Sequence, residues 1–199
     1  MQRPANSSSA PGTAQSSAPR RLRTPLYTPE ERIRRDNSGW TLVQGILAPV
    51  QFLVFAVSLI LVLRFLATGE GLAWAHASVV VKTLTLYTIM VTGCIWEKVV
   101  FGRYLFAPAF YWEDVFSMLV LALHTAYLLA LGTGALDARS LMLLALAAYA
   151  AYVINAVQFI LKLRAARLDE AADRAASQPP VRTQAQPPVQ ARSQQEATA

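Results

Sequence analysis

Four apolar runs, at residues 41–63, 76–96, 115–131 and 141–161, constrain this 199-residue chain more than anything else in it. Each approaches the ~20 residues that carry a helix across about 30 Å of hydrocarbon. None keeps a polar face at the 3.6-residue period over its full length, as a helix lying on a soluble core would. The composition agrees: 54% of residues are hydrophobic, only 15% are charged, and the charges gather toward the two ends. The expected fold is therefore all-α, a four-helix transmembrane bundle. The first run begins too far into the chain, and is too long, to be a cleaved secretory signal.

Residues 1–26 and 169–199 are dominated by Ser, Ala, Pro, Gln and Arg. Such segments cannot bury enough apolar surface to offset chain entropy, so disordered tails are expected on either side of a membrane domain at 27–168. At the start of that domain, Thr28-Pro29-Glu30-Glu31 has the pattern of a capping box with proline at the first helical position. It predicts a short basic helix over 29–36 whose arginines meet lipid headgroups. Arg20, Arg21, Arg23, Arg32, Arg34 and Arg35 precede the first span, and Lys162, Arg164 and Arg167 follow the last. The loops after spans one and three hold only Arg64 and Arg139. This bias puts both termini in the cytoplasm. The net charge of +6 is then explained by topology and anionic lipid; with no folded basic domain, a nucleic-acid partner is not expected. The single cysteine, Cys94, excludes an intrachain disulfide and a multi-cysteine metal site, and reads as a small packing residue.

Polar residues recur inside the spans at helical spacing. Gln44, Gln51 and Ser58 share a face of the first; Thr85, Thr88 and Thr92 form a stripe on the second. Glu113, Ser117 and His124 lie near one line on the third, and Tyr152, Asn155, Gln158 or Phe159, and Lys162 on the fourth. Stripes of this kind face inward in a bilayer. Interhelical hydrogen bonding accounts for any one of them; four together favour a shared polar cavity. Lys82 lies in the outer third of its span, within snorkelling reach of the surface.

Chemistry is concentrated between spans two and three, where Trp96-Glu97-Lys98 and Trp112-Glu113-Asp114 bracket an aromatic stretch. Acids this close to a membrane span are costly unless they are paired or used. Glu113 and Asp114 open a helix, where the dipole favours an anion; Glu97 closes one, where it does not. Phe101, Tyr104, Phe106, Phe110, Tyr111 and Trp112 form either an interfacial belt or the lining of a slot for a flat ligand. His124, near mid-membrane, is either bonded to a neighbouring helix or functional, as a proton relay or an axial ligand to a metal in a macrocycle. His76 reads as an interfacial residue. The chain carries no Walker loop, dinucleotide glycine pattern, HExxH or Ser-His-Asp order.

Five stretches resemble the 3-vinyl bacteriochlorophyllide hydratases of bacteriochlorophyll biosynthesis. They are YTPEERIRRD (27–36), WTLVQGILAPVQF (40–52), VKTLTLYTIMVTG (81–93), WEKVVFGRYLFAPAFYWEDVFSMLVLALHTAY (96–127) and YVINAVQFILKLRAARL (152–168). The likeness leaves out only the tails. It implies a hydro-lyase of the bacterial inner membrane that adds water to the C3-vinyl group of a chlorophyllide or bacteriochlorophyllide, giving a 1-hydroxyethyl group. Such a reaction needs a general acid, a group to take the water's proton, and an apolar slot. Glu97 is the candidate acid, with Glu113 or Asp114 activating water. His124 is the candidate ligand to the pigment's magnesium or a proton relay. Trp96, Phe101, Tyr104, Phe110, Trp112 and Tyr127 are the candidate substrate-binding residues. No protein-bound cofactor is expected, because the magnesium arrives with the macrocycle. The expected partners are a tetrapyrrole pigment, the lipid bilayer and other pigment-biosynthesis enzymes. A non-catalytic pigment- or haem-binding assembly factor is the alternative. A small transporter ranks third, because spans one and two do not resemble three and four.

Overall fold

Thr28 caps the first helix as its sequence predicts. Its hydroxyl accepts from the Glu31 N–H at 3.3 Å, while its own N–H donates to the Glu31 carboxylate at 2.8 Å. The computed structural model describes residues 26–177; most of both expected disordered tails, residues 1–25 and 178–199, lies outside the described residues. Helix α1 (Pro29–Asn37) is followed by α2 (Gly39–Thr68), α3 (Leu72–Phe101), α4 (Tyr111–Thr133) and α5 (Ala138–Ser177). Ser38 ends α1 in an extended conformation and caps α2, its hydroxyl accepting from the Trp40 N–H at 3.2 Å. Gly69 ends α2 at φ 77°, a left-handed turn that a side chain would strain, and the chain reverses at once into α3.

Helices α2 to α5 are all long and apolar enough to cross a membrane. At 1.5 Å per residue, the 30 residues of α2 reach about 45 Å, more than the hydrocarbon alone requires. Leu53, Ile60, Leu84, Leu129 and Ile160 point outward with more than half their surface exposed. In water such a surface would aggregate; against lipid it costs nothing. Helix α2 packs chiefly on α3 and α4 on α5, each pair antiparallel through a short turn; α2–α5 and α3–α4 contacts join the two pairs. At one end of the bundle the interior is filled by Phe55, Val62, Val79, Tyr127, Met142 and Tyr149. At the other it is filled by Tyr27, Val100, Phe110 and Ala166. Ala145, Ala148 and Ala151, all buried on α5, let its neighbours approach closely.

Three expectations change. The arginines of α1 do more than face headgroups. Arg34 donates to the Val100 carbonyl at 2.8 Å, a group at the end of α3 that lacks a helical partner, and Arg35 bonds Glu170 at 2.9 Å. Glu170 is buried, so the segment from 169, expected to be tail, continues as helix to Ser177 and clasps α1. Burial would lower the Arg35 guanidinium, but its bonds to Asp36 and Glu170 outweigh that and hold it above its ordinary value. Tyr27, beneath it, is pushed up by burial. Second, Lys82 does not snorkel: it is 0% exposed, on the inner face of α3 with Val79 and Leu86. Third, the threonine stripe of α3 is only partly inward. Thr85 and Thr88 donate to carbonyls of their own helix, and only Thr92 reaches a neighbour, accepting from Gln44 at 2.8 Å.

Candidate active site

The last turn of α3 and the first turn of α4 meet over the loop 102–110, at the end of the bundle where α1 lies. Glu97 and Asp114 are drawn together there, 6% and 3% exposed, with their carboxyl groups within hydrogen-bonding reach of each other. Two carboxyls this close hydrogen-bond only when one of them carries a proton. The loop backbone addresses each acid in turn. The Phe106 N–H donates to Asp114 Oδ2 at 2.7 Å, and the Ala107 N–H to Glu97 Oε2 at 3.4 Å. Phe106 adopts a left-handed φ of 57° to aim its amide this way. A bulky residue in that region carries about 1–3 kcal/mol of strain, a cost met elsewhere in the fold.

Asp114 stands at the favourable end of the α4 dipole and Glu97 at the unfavourable end of that of α3. The two carboxyls thus differ in environment although they touch. Asp114 has the shorter amide bond and the helix N-terminus, both of which suit the charged form; Glu97 has neither and suits the proton.

Glu113 is held differently. Its carboxylate pairs with Lys162 Nζ at 2.6 Å, and that ammonium also sits 5.1 Å from the Phe110 ring. One turn further along α4, Ser117 accepts from Asn155 at 2.8 Å, a second tie between α4 and α5.

The six aromatics expected to bind substrate fall into three places. Trp96, Phe101 and Phe110 pack on one another, with ring centroids 5.8 Å apart in each pair, beneath Tyr27 and against Phe159. Trp96 is also pinned by a 2.9 Å bond from its indole N–H to Thr41. Tyr104 and Trp112 face outward, 61% and 66% exposed, on the rim of the site. Tyr127 is buried near the opposite end, where its hydroxyl meets His76 Nδ1 at 2.7 Å. His124 lies ten residues along α4 from Asp114, about 15 Å away. Its Nδ1–H donates to the Val120 carbonyl at 2.8 Å, which leaves Nε2 as a buried lone pair with no partner.

Two groups at the site carry no side-chain signature, the amides of Phe106 and Ala107, and nothing in residue type or spacing announces them. Lys162 was visible as part of a stripe, but its pairing with Glu113 depends on how α5 lies against α4. Among the described residues, no three or more His, Cys, Asp or Glu are grouped to hold a metal ion.

The chain matches the 2-vinyl bacteriochlorophyllide hydratase (BCHF) family over residues 27–165. It is 68% identical over 151 residues to the 2-vinyl bacteriochlorophyllide hydratase of Rhodobacter capsulatus, an alignment covering 76% of this chain and 88% of that protein. It is 72% identical over 144 residues to the protein of the same name from Cereibacter sphaeroides, covering 72% of this chain and 89% of the relative. No solved structure matches it significantly. The matched region contains all four membrane helices up to Ala165 together with the acid pair, and on these grounds the chain belongs to the 2-vinyl bacteriochlorophyllide hydratase family.

Proposed function

We propose that this protein is a membrane hydro-lyase that adds water to the vinyl group of a bacteriochlorophyllide, the substituent numbered 2 in the older macrocycle scheme and C3 in the systematic one. The observation that carries the reading is the Glu97–Asp114 pair, two buried carboxyls side by side at the end of a membrane bundle. Membership of the hydratase family supports it.

Glu97 gives its proton to the terminal CH2 of the vinyl group, and the macrocycle delocalises the positive charge left on the carbon next to the ring. Water attacks that carbon. Asp114, held as the carboxylate by the Phe106 amide, takes the water's proton, and the pair is left with one proton as before. Its negative charge also stabilises the cation electrostatically. Glu113, committed to Lys162, positions α4 against α5 rather than exchanging protons.

The magnesium of the pigment is bound as part of the substrate. His124 Nε2 suits its axial position, because the Nδ1–H···O bond to Val120 fixes the tautomer that offers a lone pair there. Trp96, Phe101 and Phe110 form the floor beneath the acids, and exposed Tyr104 and Trp112 form the rim facing the lipid headgroups. The Lys/Arg bias supports a cytoplasmic setting at the inner membrane for this rim and both termini, where water is at hand. Other pigment-biosynthesis enzymes are natural neighbours for a substrate that partitions into lipid.

A non-catalytic pigment-binding factor is not favoured, since the relatives are named as hydratases. Membranes carrying the protein, incubated with 3-vinyl bacteriochlorophyllide, are expected to yield a product heavier by one water, and Glu97→Gln at equal expression to yield almost none. Wild-type membranes that hydrate neither the chlorin nor the bacteriochlorin would sink the assignment.

A further inference from the structure

Each of the four membrane helices carries a buried polar side chain with at least one atom that no hydrogen bond satisfies. Gln51 of α2 has both amide atoms unsatisfied, and Lys82 of α3 its Nζ. His124 of α4 has its Nε2 unsatisfied, and Asn155 of α5 its Oδ1. All four residues are at least nine-tenths buried. An unsatisfied polar group costs several kcal/mol in hydrocarbon, and a buried ammonium costs more. Buried polar atoms left open on all four helices suit an interior that receives something polar.

Lys82 is the most costly of them. Its Nζ lies 3.8 Å from the centroid of the Tyr152 ring, and none of the ion pairs in the described residues includes it. A cation–π contact offsets only part of the lost hydration. What an ammonium in this setting lacks is an anion, and the bundle supplies none at that depth. The acids of α3 and α4 sit at the far end: Glu97 is fifteen residues along α3, about 22 Å away. The same step returns to within about 60° of the same face of the helix, so Lys82 and the acid pair look into one interior.

A chlorophyllide is a free acid. Unlike its long-chain ester, it carries a propionate carboxylate on the edge of the macrocycle, remote from the vinyl group. We propose that Lys82 binds this propionate carboxylate, with Tyr152 beneath the ammonium, and so makes the protein selective for the free-acid pigment over its ester. The inference rests on the hydratase reading for the identity of the pigment, and it adds a specificity-determining residue to that site. A macrocycle lying lengthwise in the bundle then has its vinyl group toward Glu97 and its carboxylate toward Lys82, with His124 facing the metal between them. In a low-dielectric interior a charge-assisted hydrogen bond outweighs a neutral one.

The test is equilibrium binding, read by pigment fluorescence, to the protein in lipid nanodiscs. The probes are magnesium chlorophyllide and its methyl ester, which differ only in the carboxylate. Wild type is expected to bind the acid about tenfold or more tighter than the ester, the loss typical of one charged hydrogen bond. Lys82→Met, which keeps the length and apolarity of the stem, is expected to bring the ratio to about one, and Lys82→Arg to preserve it. The methyl ester serves as the control for folding, because Lys82→Met is expected to leave its affinity near wild type; if Lys82→Met does not fold, Lys82→Gln replaces it. Equal affinity of wild type for acid and ester overturns the proposal, as does a preference that survives in Lys82→Met. Equal affinity is also the result if the four polar groups hold water only. Because the ratio is read without turnover, it is independent of whether any pigment is hydrated, and the hydratase reading stands or falls on its own assay.

Discussion

Glu97 and Asp114 stand with their carboxyl groups within hydrogen-bonding reach although they belong to different helices separated by the loop 102–110. The contact is made possible by that loop, whose consecutive amides at Phe106 and Ala107 each take one of the acids. Two neighbouring carboxyls in unlike environments suit the acid and the base that the proposed hydration requires.

In the proposed mechanism Glu97→Gln removes the transferable proton, and Asp114→Asn the group that takes the water's proton. Each is expected to lower hydratase turnover by about 10²–10⁴-fold. The Asn carbonyl still accepts from the Phe106 N–H, so thermal unfolding of Asp114→Asn in detergent should stay near wild type. Turnover within a factor of a few of wild type in both variants would remove the pair from the mechanism.

Glu113 and Lys162 predict a different pattern. Glu113→Gln strands an ammonium that is about a quarter exposed, and Lys162→Met strands a nearly buried carboxylate. Each single change is expected to cost about 2–3 kcal/mol of stability, with the larger loss on stranding Glu113. The double variant should recover most of that loss, because no charge is left alone. A double-mutant cycle by thermal or denaturant unfolding checks this; strictly additive losses would show that the two do not act as a pair.

Phe106 holds a left-handed φ for the sake of its amide. Phe106→Gly should therefore be tolerated, with turnover retained, since glycine reaches this conformation freely. Phe106→Val should lose about 1–3 kcal/mol and much of its turnover, because a β-branched residue resists the conformation and turns the N–H away from Asp114. The reverse order of the two variants would contradict a backbone role.

His124 offers an unpartnered Nε2. His124→Leu is expected to weaken binding of the magnesium pigment by about tenfold or more while leaving the metal-free macrocycle little affected, as read by fluorescence titration. Equal weakening of the two pigments would assign His124 to packing instead of metal ligation.

Much of this was legible from residue order. The inward positions of Gln51, Ser58, Ser117, His124 and Asn155 follow from helical period alone, because hydrocarbon leaves a polar side chain no other direction to face. The cap at Thr28 was equally local, a matter of four consecutive residues. Lys82 departs from the snorkelling expectation because its angular position on α3 forbids the escape that its distance from the membrane surface suggests. The aromatics divided into floor and rim for the same reason: density along the chain says nothing about which face of a loop each ring takes.

The sequence by itself determined the four spans, the acid-bearing segment between the second and third, and the family, since length, apolar run and local motif are properties of contiguous residues. Only the tertiary structure decided which acids meet. Of three carboxyls within reach of one another in the chain, Asp114 turns to Glu97 and Glu113 to Lys162. That choice depends on the 100° between neighbours on a helix and on the angles at which α3, α4 and α5 pack. Nothing within a single segment specifies it.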